Sequence, residues 1–249
     1  MSLSGKTSLI AAGTKNLGGE SAKELAKAGS NLFLQYRSNP EEAEKFKQEL
    51  LKEFPNIKVE IYQSKLDKAQ DLTNLFAAAK KAFPNGIDIA ANFVGKVVKG
   101  PIAEVTEEQF DEMDLANNKI AFFFIKEAAI NVNDNGRIIN IVTSLLPAYT
   151  GLYGLYGGTK QAVTYYAKAA SKELIPRGIT VNNVGPGPAA TSFLFDSETK
   201  ESIDYMSSVA IGGRLTQTTD IAPIVKFLAT EGGWMTGQTL YASGGFTAP

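Results

Sequence analysis

The stretch LIAAGTKNLGGESAKELAKAG, residues 9–29, joins a short apolar run to a glycine-rich turn and then to an amphipathic segment. The apolar run is typical of a buried strand, and the segment after the turn has helical spacing. Glycines allow a tight backbone path, and the free amides at a helix N-terminus bind phosphate groups well. The stretch therefore predicts a first strand–helix unit that can hold a dinucleotide.

The rest of the chain repeats this alternation of strand and helix. Short runs rich in β-branched and aromatic residues are separated by longer amphipathic segments. Such an order predicts right-handed crossovers and an α/β fold, a single doubly wound parallel sheet of about seven strands with helices on both faces. The predicted strands are 7–12, 31–36, 58–63, 87–93, 137–143, 180–185 and 238–242.

The chain has no repeat and no linker-like stretch, so residues 1–249 are expected to form one domain. One segment, 189–213, departs from the alternation of strand and helix; it lies between the sixth strand and the helix that begins near Thr219. An insertion after the carboxyl end of a parallel strand lies over the crevice where such sheets bind ligands. We therefore expect 189–213 to be a substrate lid.

The composition excludes several classes of protein. Lys and Arg total 25 and Asp and Glu total 26, so the net charge of −1 offers no field for nucleic acid or an anionic membrane. With 0 His and 0 Cys, zinc enzymes, papain-like proteases and Ser-His-Asp hydrolases are excluded, and no metal is expected. No apolar run approaches the ~18 residues of a membrane span. The expected protein is cytoplasmic and acts on small molecules.

The end of the second strand indicates which nucleotide is bound. A site for NAD usually has an acidic residue there, whereas a basic residue accommodates the 2′-phosphate of NADP. This chain has LQYRSNP at 34–40, with Arg37 and no acid, and Lys15 lies in the glycine-rich turn. Two cations that converge on a phosphate predict NADP(H) as the cofactor.

A further motif is YGGTK at 156–160. Its Tyr156 and Lys160 are four residues apart and so share one face of a helix. The spacing alone does not separate a reactive pair from an ordinary exposed helix face.

Six motifs in order resemble those of the short-chain dehydrogenase/reductase family, over nearly the whole chain. They are AGTKNLGG at 12–19, ANFVG at 91–95, LANNK at 115–119, NIVTS at 140–144, YGGTK at 156–160 and VGPGPAATS at 184–192. The resemblance implies a Rossmann-type fold and an NADP(H)-dependent carbonyl reductase or alcohol dehydrogenase, as in ketoreductases. It also implies a homo-oligomer, with a tetramer favoured over a dimer and the helices around 110–130 and 160–174 in one interface.

The resemblance also implies roles for particular residues. Tyr156 would be the general acid and base, Lys160 would lower the pKa of its phenol, and Thr143 or Ser144 would hold the carbonyl oxygen. Asn117 would help to hold a water chain that links Lys160 to solvent. The implied cofactor contacts are Gly13, Lys15, Asn16, Leu17, Gly19, Arg37, Ser38, Asn92, Tyr156, Lys160, Pro186, Gly187 and Thr191.

The sequence departs from the family pattern at three places. Leu17 stands where the middle turn glycine is usual, with Gly18 beside it, and Lys65 stands where an Asp commonly contacts the adenine. The family hydroxyl commonly lies thirteen residues before the tyrosine, which favours Thr143, while Ser144 remains the alternative. Neighbouring strand residues point to opposite faces, so only one of the two reaches the site easily.

Two other functions stay open at this point. Tyr153 and Lys160 have the wider spacing that resembles the enoyl-thioester reductase branch, and a non-catalytic NADP(H)-binding sensor is also possible. The apolar side chains near the predicted site favour an apolar or aromatic ketone or aldehyde as the substrate. These side chains are Leu145, Leu146, Tyr149, Leu152, Tyr153, Phe193 and Phe195.

Overall fold

The computed structural model describes residues 2–148 and 150–247. Seven strands of this part of the chain form one parallel sheet in the order β3-β2-β1-β4-β5-β6-β7. The predicted α/β fold class is therefore confirmed. The strands are β1 (Thr7–Ala11), β2 (Asn31–Tyr36), β3 (Val59–Gln63), β4 (Ile87–Asn92), β5 (Val132–Ile141), β6 (Thr180–Pro186) and β7 (Thr239–Ala242).

Helices cover both faces of the sheet. One apolar cluster packs α3, α5 and α6 against one face, and a second packs α1, α2 and α9 against the other. Within β1, Leu9 belongs to the first cluster and Ile10 to the second, as the period of two in a strand requires. The helices are α1 (Asn16–Lys27), α2 (Pro40–Glu53), α3 (Ala69–Ala82), α4 (Glu107–Met113), α5 (Ile120–Asn131), α6 (Gly154–Glu173), α7 (Ser192–Phe195), α8 (Lys200–Ser208) and α9 (Thr218–Ala229).

Six of the seven predicted strands agree with the structure to within one residue at each end. The exception is β5, which begins at Val132 rather than at residue 137 and ends at Ile141 rather than at residue 143. Its first half, VNDNG, has the composition of a turn. Val132 nevertheless pairs with Ile87 across a register shift, and Asn135 takes a positive φ of 61°. A pairing partner far away in sequence extends this strand.

The helix expected around 110–130 is interrupted. Between α4 and α5 the helix widens into a π turn at Asp114–Lys119. The start of α4 is fixed by a capping box, in which the Thr106 hydroxyl accepts from the Gln109 amide at 3.2 Å. A π turn shifts the side-chain phase, and such turns often occur at functional sites. Here the turn carries Asn117.

The strand order places a crevice between β1 and β4. From these two neighbouring strands the chain winds in opposite directions, so the loops at their carboxyl ends separate. A cavity of about 1230 Å³ lies there. The segment that follows β6 carries α7 and α8 and contributes to the wall of the cavity. In the part of the chain that the structure describes, no helix combines the length and apolarity needed to cross a membrane.

Candidate functional site

The cavity gathers most of the residues singled out in the sequence. Those on its wall are Lys15, Asn16, Leu17, Arg37, Ser38, Thr143, Ser144, Tyr156, Lys160, Pro186, Gly187 and Thr191. Four others lie behind the wall: Gly13, Gly19, Asn92 and Asn117. The buried Asn92 side chain accepts from the Val94 amide at 3.1 Å, which shapes the loop after β4.

The glycine-rich turn is held by a residue that the sequence analysis missed. The buried Gln35 side chain accepts from the Ala12 amide at 2.8 Å and donates to the Ser64 carbonyl at 2.6 Å. Its own carbonyl accepts from the Gly13 amide at 2.9 Å. Gln35 thus ties the turn after β1 to the loop after β3. The available signal was a polar side chain near the end of an otherwise apolar strand.

The first turn of α1 is suited to an anion. The capping position, Lys15, makes no side-chain cap, and the first turn contains no acid. The first amides of a helix have no partner within the helix, and the helix dipole adds positive potential at this end. The turn can therefore receive a pyrophosphate group.

The backbone of this turn packs closely at Gly18, and not at Leu17, where the family pattern usually has its middle glycine. A Cβ on Gly18 would lie 2.1 Å from the Ala12 carbonyl oxygen, whereas one on Gly19 would come no nearer than 3.2 Å to another atom. Gly13 is also restricted, since a Cβ there would lie 2.8 Å from the Ile10 carbonyl oxygen. Leu17 packs against the apolar cluster on the α1 face. The pair of adjacent glycines was the signal for this shift.

Replacing Gly18 by Ala is expected to destabilise the protein and weaken nucleotide binding. Overpacking of this kind lowers the free energy of unfolding by about 1–3 kcal/mol. For a chain of this size, such a loss corresponds to a fall in Tm of about 5 °C. Gly158→Ala in α6 is the matched control, because nothing lies within 4 Å of the added Cβ. Alanine favours a helix interior, so its Tm should stay or rise. Thermal unfolding checks both, and an unchanged Tm for Gly18→Ala would contradict the packing argument.

Three cations line the end of the cavity beside β2 and β3. Lys15, Arg37 and Lys65 are exposed there and form no ion pair with an acid of the described residues. The Ser64 amide donates to the Tyr36 carbonyl at 3.0 Å, which brings the loop of Lys65 next to that of Arg37. Cations without protein partners can bind a phosphate monoester.

Tyr156 and Lys160 lie one turn apart on α6, and both are buried. The Lys160 Nζ donates to the Val94 carbonyl at 3.2 Å and to the Ile141 carbonyl at 3.0 Å. These bonds hold the ammonium between the ends of β4 and β5. A Cβ on Gly95 would lie 3.1 Å from this Nζ and 3.3 Å from the Asn117 Oδ1, so a glycine keeps this approach open.

Burial dominates the proton affinities of this pair. It raises the pKa of Tyr156 to about 12, and a hydrogen bond with the Thr143 side chain lowers it only in part. Burial lowers the pKa of Lys160 to about 8. From the spacing, the ammonium was expected to lower the pKa of the phenol. In this structure desolvation is the largest influence on the pKa of both groups, because it disfavours the charged form of each.

The buried Lys160 should make stability depend on pH. Its pKa is about 8 in the folded chain against 10.5 ordinarily, so between these values the unfolded chain binds more protons and stability rises with pH. Relative to Lys160→Met, the unfolding free energy of the wild type should gain about 1.5 kcal/mol from pH 8 to pH 9.5. Urea unfolding of both proteins measures this gain. If the unfolding free energies of the wild type and Lys160→Met change equally with pH, Lys160 keeps its ordinary pKa.

The two candidate hydroxyls have different surroundings. Thr143 accepts from the Leu145 amide at 3.2 Å, and its side chain is near enough to Tyr156 to lower the pKa of the phenol. The Ser144 hydroxyl is buried without a partner among the described residues, and its amide donates to the Pro186 carbonyl at 2.9 Å. Both residues line the cavity, and the influence of Thr143 on Tyr156 favours Thr143; which of the two hydroxyls reacts stays a prediction.

Asn117 joins two parts of the site from its place in the π turn. Its Oδ1 accepts from the Lys96 amide at 2.9 Å, and its Nδ2 donates to the Lys96 carbonyl at 2.8 Å. The Nδ2 also reaches the hydroxyl of Thr159 at 3.2 Å, a residue that the sequence analysis did not identify. Asn117 thus connects the loop after β4 to α6, and its Nδ2 also lies 3.8 Å from the Met113 Sδ at the end of α4.

The apolar pocket prediction holds for four side chains. Leu145, Leu152, Tyr153 and Phe193 line the cavity. Leu146 packs against the core instead, because it lies over the α5 face of the sheet. Phe195 is half exposed on α7 and lies outside the cavity wall, and Tyr149 is outside the described residues. Further lining residues are Val97, Leu194, Tyr205, Met206 and Phe246.

Known proteins resemble this chain along nearly all of its length. A family model described as Enoyl-(Acyl carrier protein) reductase matches residues 11–247. An NADPH-dependent aldehyde reductase-like protein, chloroplastic, of Arabidopsis thaliana is 32% identical, over 98% of this chain and 95% of the relative.

Two solved structures have a similar fold. A protein of Burkholderia cenocepacia, assigned as a dehydrogenase and solved with bound NADP, superposes with a TM-score of 0.95 at 39% identity, over 100% of this chain and 96% of that one. A short-chain dehydrogenase/reductase from Serratia marcescens gives a TM-score of 0.92 at 28% identity, with 100% of both chains covered.

Proposed function

Because the chain belongs to the short-chain dehydrogenase/reductase family, we propose that it is an NADP(H)-dependent oxidoreductase that reduces a ketone or aldehyde to an alcohol, and the reverse. The observation that carries the proposal is the buried pair of Tyr156 and Lys160, with Thr143 beside it, on the wall of the crevice. These are groups that exchange a proton with a carbonyl oxygen and stabilise charge on it.

The residues present fit NADP(H). The start of α1 has no side-chain cap, and the turn before it packs closely at Gly18, so this turn can receive a pyrophosphate. The cations Lys15, Arg37 and Lys65 have no acidic partner among the described residues. Positive charge at the end of the second strand suits a 2′-phosphate. The bound cofactor of the Burkholderia cenocepacia structure and the printed name of the Arabidopsis thaliana relative support this assignment.

In the proposed reaction, hydride adds to the carbonyl carbon, the C=O electron pair moves to the oxygen, and that oxygen takes a proton. Bound NADPH supplies the hydride. Tyr156 gives its phenolic proton to the oxygen, and in the reverse direction takes it back. Thr143 donates a hydrogen bond to the same oxygen, one that strengthens as negative charge develops there.

Lys160 and Asn117 restore the proton of Tyr156. With a pKa lowered to about 8, Lys160 can lose and regain a proton near neutral pH. Asn117 fixes the loop at Lys96 that lies alongside the Lys160 ammonium. We propose that this loop supports a water path from Lys160 to solvent. The segment 189–213 would act as the lid that limits other water in the site.

The apolar lining supports an apolar or aromatic carbonyl compound as the substrate. Leu145, Leu152, Phe193 and Met206 surround the wall that carries Tyr156. The test offers the protein a panel of aromatic and aliphatic aldehydes and ketones and measures the loss of NADPH absorbance with each. The same panel is assayed with NADH in parallel. NADPH-dependent turnover of at least one carbonyl class supports the proposal. Binding of NADPH without turnover of any carbonyl in a broad panel would favour a binding protein.

An enoyl-thioester reductase is the second candidate, because the matching family model carries that description. The surroundings of Tyr153 argue against it. Its hydroxyl donates to the Glu198 carboxylate, and burial together with this carboxylate raises its pKa. Tyr156 is therefore the better placed proton donor. One enoyl thioester in the panel tests this, since turnover of that compound alone would make Tyr153 the acid.

Arg37→Ala should change which cofactor is preferred. Loss of a charge-assisted bond to a phosphate costs about 1.5–3 kcal/mol, so NADPH affinity should fall roughly tenfold to a hundredfold while NADH affinity changes little. Fluorescence titration of the free enzyme measures both dissociation constants. Lys47→Ala, whose partner is Glu60 at 3.1 Å, is the control cation. Equal losses for NADPH and NADH would mean that Arg37 does not contact the 2′-phosphate.

We also propose that the chain works as a homo-oligomer, with a tetramer favoured. Phe110, Phe122 and Ile130 are 51%, 45% and 62% exposed on α4 and α5, and Tyr165 is 73% exposed on α6. These are the helices around 110–130 and 160–174, and exposed apolar side chains of this size indicate association. Light scattering after size-exclusion chromatography gives the assembly mass.

A further inference from the structure

One acid of the segment 189–213 is buried. The Glu198 side chain, between α7 and α8, is 1% exposed, whereas Asp196, Glu201 and Asp204 are exposed. The Glu198 Oε2 accepts from the Lys99 Nζ at 2.7 Å and from the Ser202 hydroxyl at 2.6 Å, and its Oε1 accepts from Tyr153. We name Lys99, Tyr153, Glu198 and Ser202 the Glu198 cluster. The proposed proton transfer uses none of them.

The cluster contains a compensated pair of charges. Burial raises the pKa of Glu198, but hydrogen bonds from Lys99, Ser202 and Tyr153 and the charge of Lys99 outweigh burial, so the net shift is downward. The carboxylate is therefore ionised at neutral pH and neutralises the ammonium of the partly exposed Lys99. Breaking one half of a buried pair leaves the other charge without compensation.

The cluster lies beside the proposed reaction centre. The ring of Tyr153 packs edge-on against that of Tyr156, with centroids 6.5 Å apart, and the Lys99 Nζ lies 5.4 Å from the Tyr153 centroid. All four cluster residues line the same cavity as Tyr156. A one-ring substrate whose carbonyl oxygen meets Tyr156 would therefore extend towards Lys99 and Glu198.

We propose that Glu198 is a specificity-determining residue that restricts the site to uncharged carbonyl compounds. The carboxylate pairs with Lys99, the cation of the cluster, and repels a second anion in the same cavity. A carboxylate in a site strongly disfavours a ligand that carries the same charge. A cation that is already paired with that carboxylate gives an anionic ligand no net attraction. Removing the charge of Glu198 releases Lys99 to bind a substrate carboxylate. This inference rests on the proposed carbonyl reduction.

The test compares 4-methylbenzaldehyde with 4-carboxybenzaldehyde. Glu198→Gln keeps the shape of the side chain and an oxygen that accepts from Tyr153, but it removes the charge. For each protein, kcat/KM for 4-carboxybenzaldehyde is divided by kcat/KM for 4-methylbenzaldehyde. In Glu198→Gln this ratio should be about tenfold or more above that of the wild type, which is the effect expected from one close pair of charges. Adding Lys99→Met to Glu198→Gln should cancel the gain. An unchanged ratio in Glu198→Gln overturns the proposal.

Glu112→Gln is the control for loss of charge alone. Glu112 pairs with Lys96, and both line the cavity, but their side chains are 50% and 44% exposed. Water screens an exposed pair, so this change should leave the ratio near the wild-type value. An equal rise in Glu112→Gln would trace the effect to net charge and overturn the role of Glu198.

A binding measurement separates this inference from the proposed function. Calorimetry on the NADPH-saturated protein needs no turnover and compares benzoate with benzamide. Glu198→Gln should bind benzoate about tenfold more tightly than the wild type, with benzamide unchanged. If no aldehyde is reduced but benzoate responds in this way, the proposed reaction fails and the selectivity stands. An unchanged preference for benzamide overturns it.

A second variant serves if Glu198→Gln does not fold. Lys99→Met leaves the Glu198 carboxylate without its cation, so benzoate should bind still more weakly relative to benzamide. A benzoate preference that rises or stays the same in Lys99→Met overturns the proposal.

Discussion

Tyr156→Phe should lower kcat for carbonyl reduction about a thousandfold while NADPH still binds. Phenylalanine keeps the ring that packs in the Met113 and Tyr153 cluster but removes the hydroxyl that would deliver the proton. A positioned acid contributes about 10²–10⁴ in rate, and neither His nor Cys is present to replace it. Steady-state kinetics with the best carbonyl substrate of the panel measures the loss.

Tyr153→Phe is the matched control for this change. Its ring also packs in that cluster, but its hydroxyl donates to Glu198. We expect it to lose far less activity than Tyr156→Phe. NADPH titration of both variants should give dissociation constants within about tenfold of the wild type, because the cations proposed to bind the phosphate lie in the loops after β1, β2 and β3 and not on α6. Equal activity of Tyr156→Phe and the wild type would exclude Tyr156 as the acid.

Thr143→Val should reduce kcat about a hundredfold. Valine preserves the branched shape and removes the hydroxyl that lowers the pKa of Tyr156 and would hold the carbonyl oxygen. Loss of one donor to a developing negative charge costs about 10²–10³ in kcat. The kinetic loss should fall mainly on kcat rather than on KM, because this bond strengthens in the transition state.

Ser144→Ala separates the neighbouring hydroxyl from Thr143. The Ser144 hydroxyl is buried without a partner among the described residues, so its removal leaves no group unsatisfied. Its kcat should stay within about threefold of the wild type and its Tm should not fall. The reverse order, a large loss in Ser144→Ala and a small one in Thr143→Val, would assign the reacting hydroxyl to Ser144.

Most of the fold followed from patterns within single segments. Six strands were predicted to within one residue because short apolar runs bounded by turns are local properties of the chain. The exception, β5, starts at Val132 through a pairing with Ile87 that its own composition does not indicate. The π turn at Asp114–Lys119 was missed for the same reason, since its sequence reads as one continuous helix.

The doubly wound sheet, the crevice at the carboxyl ends of its strands and the approximate positions of Tyr156 and Lys160 could all be predicted from the sequence. These depend on the order of segments and on helical spacing, which the chain carries locally. Motifs in the correct order were also sufficient to indicate the family.

Contacts between distant segments came from the folded chain alone. The fold placed Thr143 close enough to lower the pKa of Tyr156, put the close packing of the glycine turn at Gly18, and assembled the Glu198 cluster. Glu198 meets Tyr153 across 45 positions of sequence and Lys99 across 99. Such contacts are set by how distant loops converge and in which direction each side chain points, so no local pattern encodes them.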